Sequence, residues 1–241
     1  MAQAVTGGAG PMVTCVMLTR WPDRRAMMRD ALASFHAQTY SPRELLVVNE
    51  GEPLTSLVRG VRVVNTGPRS SLGEQRDVGL READGEYVAT WDDDDASMPT
   101  RLSEQVAAAE AGADYVLCHR LWLADASLNP VCEASAVAYV TALVRRDAAL
   151  AAGGHGRGDY GEDAALNRAM KSRGARFAAL DVPLYVYRRH GGNVSTKATG
   201  EDLDSWFRFC SSPSVDGARS ALAAMRRAPR PEMLSPAGRR A

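Results

Sequence analysis

A chain of 241 residues, 45% hydrophobic and 24% charged, has the make-up of an ordinary globular protein with room for one sizeable α/β domain. Lys plus Arg and Asp plus Glu each number 29, so no overall field draws it to nucleic acid or to a membrane surface. No stretch approaches the roughly 20 apolar residues of a membrane span, and the small, Gly-rich first ten residues lack the basic and apolar regions of a signal peptide. A cytoplasmic location is the resulting expectation. Cys15, Cys118, Cys132 and Cys210 form no CxxC pair, and Cys15 and Cys118 lie in apolar runs that suit buried thiols.

In chain order, residues 12–18 form a near-continuous apolar run, as in a parallel strand covered on both faces. A loop with Pro22 follows. Met28, Ala31, Leu32 and Phe35 then repeat with the spacing of a one-faced helix that runs to about Gln38. Residues 45–48 and 61–64 are predicted strands, and Ser71-Leu72-Gly73-Glu74 fits a capping box opening a helix to about Ala83. Residues 87–91 are the next strand. This order argues for an open, mostly parallel sheet with helical crossovers, in which ligands bind beyond the carboxyl ends of the strands. Thr19-Arg20, Asn49-Glu50 and Asp92–Asp95 should therefore meet in one crevice.

Further on, Pro99 and Thr100 start a helix to about Ala111, residues 115–123 and 139–144 read as strands, and residues 147–152 as a short helix. Residues 153–161 hold five glycines and little intrinsic order. A helix is predicted from about Glu162 to Gly174, then strands at 176–180 and 184–188. After about Ser211 the Ala-, Arg- and Pro-rich composition predicts a loose helix or disorder.

The four acids Asp92, Asp93, Asp94 and Asp95 follow directly on Tyr87, Val88, Ala89 and Trp91. Continued as a strand, they would alternate, Asp92 and Asp94 on one face, Asp93 and Asp95 on the other. Four adjacent acids need positive charge nearby, and a hard divalent cation is the natural neutraliser. A solvated acidic turn is the plainer account. An EF-hand is excluded, since the sixth and twelfth positions from Asp92 are Ser97 and Ser103 instead of Gly and Glu.

From about Val13 to Phe209 the chain resembles a family 2 glycosyltransferase of the GT-A fold. Four segments carry the resemblance in order. They are the first strand and helix leading to Glu44-Leu-Leu-Val-Val-Asn-Glu-Gly; Gly73-Glu-Gln-Arg-Asp-Val-Gly-Leu ahead of Ala83-Asp-Gly-Glu-Tyr-Val-Ala-Thr-Trp-Asp-Asp-Asp-Asp; Gly161-Glu-Asp-Ala-Ala-Leu; and Pro183-Leu-Tyr-Val-Tyr-Arg-Arg-His, closed by Asn193-Val-Ser. The resemblance implies a Rossmann-like sheet flanked by helices with a smaller C-terminal acceptor part. Residues 11–210 would form one domain, 11–98 the donor half and 99–210 the acceptor and base half. Residues 1–10 and 211–241 would be a flexible start and a flexible or loosely helical tail.

The resemblance also implies roles. Asp92 and Asp94 match the DxD positions, with Asp94 and Asp92 as ligands of Mn²⁺ or Mg²⁺, Asp93 beside the donor and Asp95 as a further support. Asp163 matches the general base, with Glu162 in support, and His190 a histidine near the diphosphate or the metal. Thr19, Arg20, Arg76 and Asp77 would line the nucleotide site. Asn49 and Glu50 stand where the family usually has Asp-Asp, which leaves the choice among UDP-, dTDP- and GDP-linked donors open. The implied reaction is inverting transfer of a sugar from a nucleotide diphosphate to a hydroxyl acceptor. A carboxylate would take the hydroxyl proton and a metal would neutralise the leaving group. Residues 153–161 could close as a lid.

Plainer readings stand beside these. Glu162 and Asp163 suit a helix N-terminus by dipole alone, and an isolated His190 would be structural. His36, His119 and His155 receive no role. Arg20, Arg69 and Arg76 could clamp phosphate or merely be solvated. Trp206, Phe207 and Phe209 look like a packing cluster. Arg219, Arg226, Arg227, Arg230, Arg239 and Arg240 could touch an anionic membrane, with a solvated tail as the plainer account. A nucleotidyltransferase is the alternative enzyme, but Thr19-Arg-Trp-Pro-Asp-Arg-Arg lacks its Gly-rich loop. A nucleotide-sugar-binding protein without catalysis is the non-enzymatic alternative.

Overall fold

The computed structural model describes residues 10–56, 60–67, 71–135, 139–194, 210–211, 214–228 and 234–236. Its main sheet is built on four parallel strands in the order β5 (Tyr87–Thr90), β1 (Val13–Thr19), β2 (Arg43–Asn49) and β4 (Val61–Asn65). The connections are α1 (Arg25–His36), a short strand β3 (Leu54–Ser56) and α2 (Leu72–Glu82). The capping box at α2 is present: Ser71 Oγ accepts from Glu74 N at 3.3 Å and Glu74 Oε2 accepts from Ser71 N at 3.0 Å.

Strand residues alternate between two cores, and helices cover both. Val13, Cys15, Met17, Leu45, Val47, Tyr87 and Ala89 pack with Met28, Ala31 and Phe35 of α1. The same core takes Leu102, Val106 and Ala109 of α3 (Arg101–Glu110). Val16, Leu18, Leu46, Val48 and Val88 pack on the opposite face with Leu80 of α2, Ala149 of α4 (Arg146–Ala151) and Leu166 and Met170 of α5 (Glu162–Ser172). Burial on both faces explains why these strands read as unbroken apolar runs.

Beyond β5 the sheet becomes mixed. A two-residue strand β6 (Ala96–Ser97), β7 (Tyr115–Ala124), β8 (Pro130–Ser135), β9 (Leu143–Arg145), β10 (Phe177–Arg188) and β11 (Cys210–Ser211) complete it, with β9 antiparallel to β5 and β7. Three expectations change. The strand expected at 139–144 is a 3₁₀ turn, Tyr139–Thr141, followed by β9. The strands expected at 176–180 and 184–188 are one, β10, whose parallel register on β7 shifts on either side of Pro183. Proline lacks the N–H that a regular ladder needs there. Strands β3, β6, β8 and β11 were not foreseen.

The tail is more structured than its composition suggests. Residues Asp216–Arg227 form α6, which buries Ala218, Leu222 and Met225 against Trp122 and Val186. Arg226 pairs with Asp30 of α1 (Nε–Oδ1 3.1 Å) and Arg219 donates to the Pro130 carbonyl. Strand β12 (Leu234–Pro236) pairs antiparallel with β3. Cys132 and Cys210 form a disulfide joining β8 to β11, while Cys15 and Cys118 are buried free thiols. Trp206, Phe207, Phe209, Arg69, Arg230, Arg239 and Arg240 lie outside the described residues. Among the described residues no helix is long and apolar enough to cross a membrane.

Candidate active site

The carboxyl ends of β1, β2 and β5 do meet. Thr19 pairs with Asn49 in register, and Thr19 Oγ1 donates to Asp93 Oδ2 at 2.7 Å. The acids do not continue the strand. After Thr90 the chain turns at Asp93 and Asp94, so the expected alternation gives way to a different pairing. Asp93 and Asp94 face Arg24, at 3.3 Å from its Nε and 2.9 Å from its Nη2 respectively. Asp92 and Asp95 face Tyr185, whose hydroxyl donates to both at 3.3 and 2.7 Å. Asp95 also accepts from the Arg188 backbone N–H. Beneath the turn Arg101 is fully buried, donating to Gln105, Ser97 and the Thr90 carbonyl, with its guanidinium 5.1 Å from both the Trp91 and Tyr185 ring centres.

Burial sets the titration of the turn. It pushes Asp92 up to about 6, with Asp94, Asp163 and Glu162 adding to the rise and Arg76 opposing it. Burial and then Asp94 push Asp93 up to about 7 against Arg24 and Thr19. Asp94 is held below the carboxylate range: burial raises it, but His190 and Arg24 outweigh that. His190 Nε2 lies 3.0 Å from Asp94 Oδ2.

A second cluster sits across the same cavity. Arg76 of α2 is buried and reaches Asp92 (3.4 Å), Glu162 (3.1 Å) and Asp163 (3.3 Å). Glu162 and Asp163 open α5, whose N-cap is Gly161 in the left-handed conformation with no side-chain cap. Asp163 is held below the usual carboxylate range, since Arg76 and then His155 outweigh the cost of burial. Together Asp92–Asp95, Arg24, Arg76, Glu162 and Asp163 line a cavity of about 440 Å³. Its other walls include Leu121, Tyr139, Val140, Tyr160 and Tyr187. A neighbouring cavity of about 760 Å³, lined by Arg20, Trp21, Glu50 and Gln75, shares Leu72 and Val194 with it.

Two residues expected at the donor site are hydrogen-bonded within the protein. Asn49 is fully buried. Its Oδ1 accepts from the Trp21 and Gly51 N–H groups, and its Nδ2 donates to Glu52 O and Asn65 Oδ1, so no polar group is left for a ligand. Asp77 turns away from the donor crevice and accepts from His155 N (2.7 Å), Gly156 N (3.0 Å) and His155 Nδ1 (3.2 Å). Those bonds, with Gly73 N donating to Gly158 O at 2.9 Å, organise the Gly-rich loop. A Cβ on Gly73 would stand 2.2 Å from Gly156 O, which is why the approach needs glycine. Glu50 stays beside the second cavity, with Arg20 Nε (2.7 Å) on Oε1 and Gln75 Nε2 (2.6 Å) on Oε2. Sequence reasoning missed Arg24, Arg101, Tyr185 and His155. Only Arg24 carried a usable signal, as a cation in the loop after β1.

The donor set fits a hard divalent cation as a partial site. Asp94 and His190 converge and Asp92 lies in the same turn, where burial is the main cause of the raised Asp92 and Asp93. Among the described residues no three His, Cys, Asp or Glu side chains form a complete cage. One or two protein ligands completed by phosphate oxygens is how Mg²⁺ is commonly held.

Comparison with known proteins agrees with this architecture. Residues 23–127 match the family described as glycosyl transferase family 2. The cholesterol galactosyltransferase of Borreliella burgdorferi is 29% identical over 112 residues, 43% of this chain and 30% of that protein. The chain thus matches under a third of that relative's length. Among solved structures, S. aureus TarS 1–349 in complex with UDP superposes with a TM-score of 0.56 at 18% identity, covering 73% of this chain and 60% of that one. The mannosyltransferase PcManGT of Pyrobaculum calidifontis, in complex with GDP-Man and Mn²⁺, gives 0.57 at 16% identity over 90% of this chain and 74% of the other. The chain therefore has the mixed α/β fold of the GT-A glycosyltransferases and carries, over residues 23–127, the sequence pattern of glycosyl transferase family 2.

Proposed function

We propose that this chain is an inverting glycosyltransferase that moves a sugar from a nucleotide diphosphate to a hydroxyl acceptor, assisted by Mn²⁺ or Mg²⁺. The carrying observation is that Asp163, held ionised by Arg76, shares one cavity with the acidic turn at the carboxyl ends of the parallel strands. In this reading the nucleotide lies against Thr19, Arg20 and Glu50, and its diphosphate points toward Asp92–Asp94. Asp94 and His190, with Asp92 beside them, would hold the cation. When bound it supplies positive charge against the departing diphosphate.

The protein's own groups do the rest. Asp163 accepts the proton of the acceptor hydroxyl as that oxygen attacks the anomeric carbon from the face opposite the phosphate. The new C–O bond forms as the bond to the diphosphate breaks, and the electron pair leaves with the diphosphate. Arg76 keeps Asp163 ionised until the proton arrives. Leu121, Tyr139, Val140, Tyr160 and Tyr187 offer ring and apolar surface to the acceptor body. Binding of UDP by one neighbour and of GDP-Man by another, and the galactosyl transfer named for the relative, support the donor class. A cytoplasmic site of action fits this donor class.

The test is calorimetric titration of UDP, GDP, dTDP and CMP with and without Mn²⁺, followed by turnover of the preferred donor. One diphosphate binds in a metal-dependent manner, Asp94→Asn abolishes that binding, and Asp163→Asn retains it while lowering turnover by about 10²- to 10⁴-fold. A chain that binds no nucleotide with Mn²⁺ present does not have this function.

A further inference from the structure

We propose that His155 is the residue that positions the base: clamped by Asp77 on one ring nitrogen, it holds Asp163 through the other and aims its free oxygen into the cavity. The inference rests on the transferase reading above. His155 lies in the Gly-rich loop, eight residues before Asp163 and 78 after Asp77; its Nδ1 is 3.2 Å from Asp77 Oδ1 and its Nε2 is 3.5 Å from Asp163 Oδ1. Asp77 fixes the ring from behind by also accepting the His155 and Gly156 backbone N–H groups.

The geometry selects the charge state. A neutral imidazole donates from one nitrogen and accepts at the other. Set between two carboxylates, it would present a lone pair to one of them. Only the imidazolium satisfies both. Arg76 Nε approaches the same Asp163 oxygen, Oδ1, at 3.3 Å. Both cations therefore sit on one oxygen, and Oδ2 is the one that receives the acceptor's proton. That proton comes off the hydroxyl as the oxygen bonds to the anomeric carbon, stays on Asp163, and passes to solvent after the product leaves.

The surrounding charges agree. Burial lowers His155, but Asp163 and Asp77 outweigh it and raise it above its ordinary value, with Arg76 opposing. Asp77 is lowered by His155 against the cost of burial. The other titratable groups facing Asp163 and His155 are Glu162 on α5, Asp92 in the acidic turn and Tyr115 on β7.

Two measurements on the full chain test this. In ¹⁵N-histidine-labelled protein, with His155 assigned through His155→Gln, its ring titrates above the ordinary histidine value and drops in both Asp77→Asn and Asp163→Asn. In turnover, His155→Gln lowers kcat by about 10- to 100-fold with the donor KM within about twofold. It also moves the acidic limb of the pH profile upward, because Asp163 loses a cation that favours its ionised form. The milder Asp77→Asn shifts that limb in the same direction. A ring that titrates normally and ignores both variants, or an unchanged pH profile in an active His155→Gln, overturns the positioning role alone. A wild-type chain that turns over no donor overturns the transferase reading and His155's part in it together.

Discussion

Arg24, in the loop after β1, donates from Nη2 to Asp94 Oδ2 at 2.9 Å, so the acidic turn after β5 is tied to the neighbouring strand end by a cation of the chain itself. The same guanidinium lies 3.3 Å from Asp93, and both acids raise the Arg24 titration despite burial. A turn expected to depend on a divalent ion is thus partly neutralised from within. Arg24→Met should lower stability by about 1–2 kcal/mol at pH 7, discounted for the partial exposure of Arg24. Asp94 is depressed, so its share is present above the unfolded pKa and fades as pH falls through the folded one. Mn²⁺ should then stabilise the variant more than the wild type. Urea denaturation with and without Mn²⁺ checks this, and equal metal effects would refute it.

Arg76 carries a heavier load, since it is buried and meets Asp92, Glu162 and Asp163. Removing one partner from a buried ion cluster leaves charges with no compensation, at about 3–5 kcal/mol. Arg76→Met should therefore be severely destabilised. Arg76→Lys, which keeps the charge and loses the fork, should recover part of the loss. A melting-temperature series over the two variants decides it, and Arg76→Met melting with the wild type would rule it out.

The pH dependence of the ligand-free protein should run against the usual direction. Asp92 and Asp93 are pushed up to about 6 and about 7, so between pH 4 and 7 the folded state binds more protons than the unfolded one. Stability should fall as pH rises through that window, and Asp93→Asn should flatten the slope. The lowered Asp77, Asp94 and Asp163 work oppositely, losing their contribution only as pH drops below the ordinary Asp range. Urea midpoints from pH 4 to 8 give the sign directly.

Gly154 combines two demands that no other residue meets. Its φ is +74°, and a Cβ there would lie 2.3 Å from Asp77 Oδ1. Gly154→Ala should cost about 1–2 kcal/mol from the left-handed backbone alone, and it should displace Asp77 from His155. Hydrogen exchange at the His155 and Gly156 amides should rise in the variant while that of β1 and β2 stays protected. Uniform protection would show that the loop holds without Asp77.

Much of the donor side was legible because its signals are local. Apolar runs marked β1 and β2, the Ser71–Glu74 capping box marked the start of α2, and parallel topology alone brought Thr19, Asn49 and Asp92–Asp95 together. Local signals also misled. Period-two alternation assumed that the strand continued through the acids, but pairing with β1 ends at Thr90 and the chain turns. Strand β8, which follows β7 across a short turn, was missed, and what holds its other edge, the pairing to β11 and the Cys132–Cys210 bridge, spans 78 positions in sequence.

By itself the sequence determined the four parallel strands and helices α1 to α5, which residues are acidic, and which strand ends carry them, because apolar periodicity and capping act between near neighbours. The tertiary structure alone decided which partner each charged group meets. Arg24 with Asp94, Arg76 with Asp163 and His155 with Asp77 are separated by 70, 87 and 78 positions. Low-dielectric burial then turned those meetings into shifted titrations, because a charge removed from water is governed by whatever lies within a few ångströms of it.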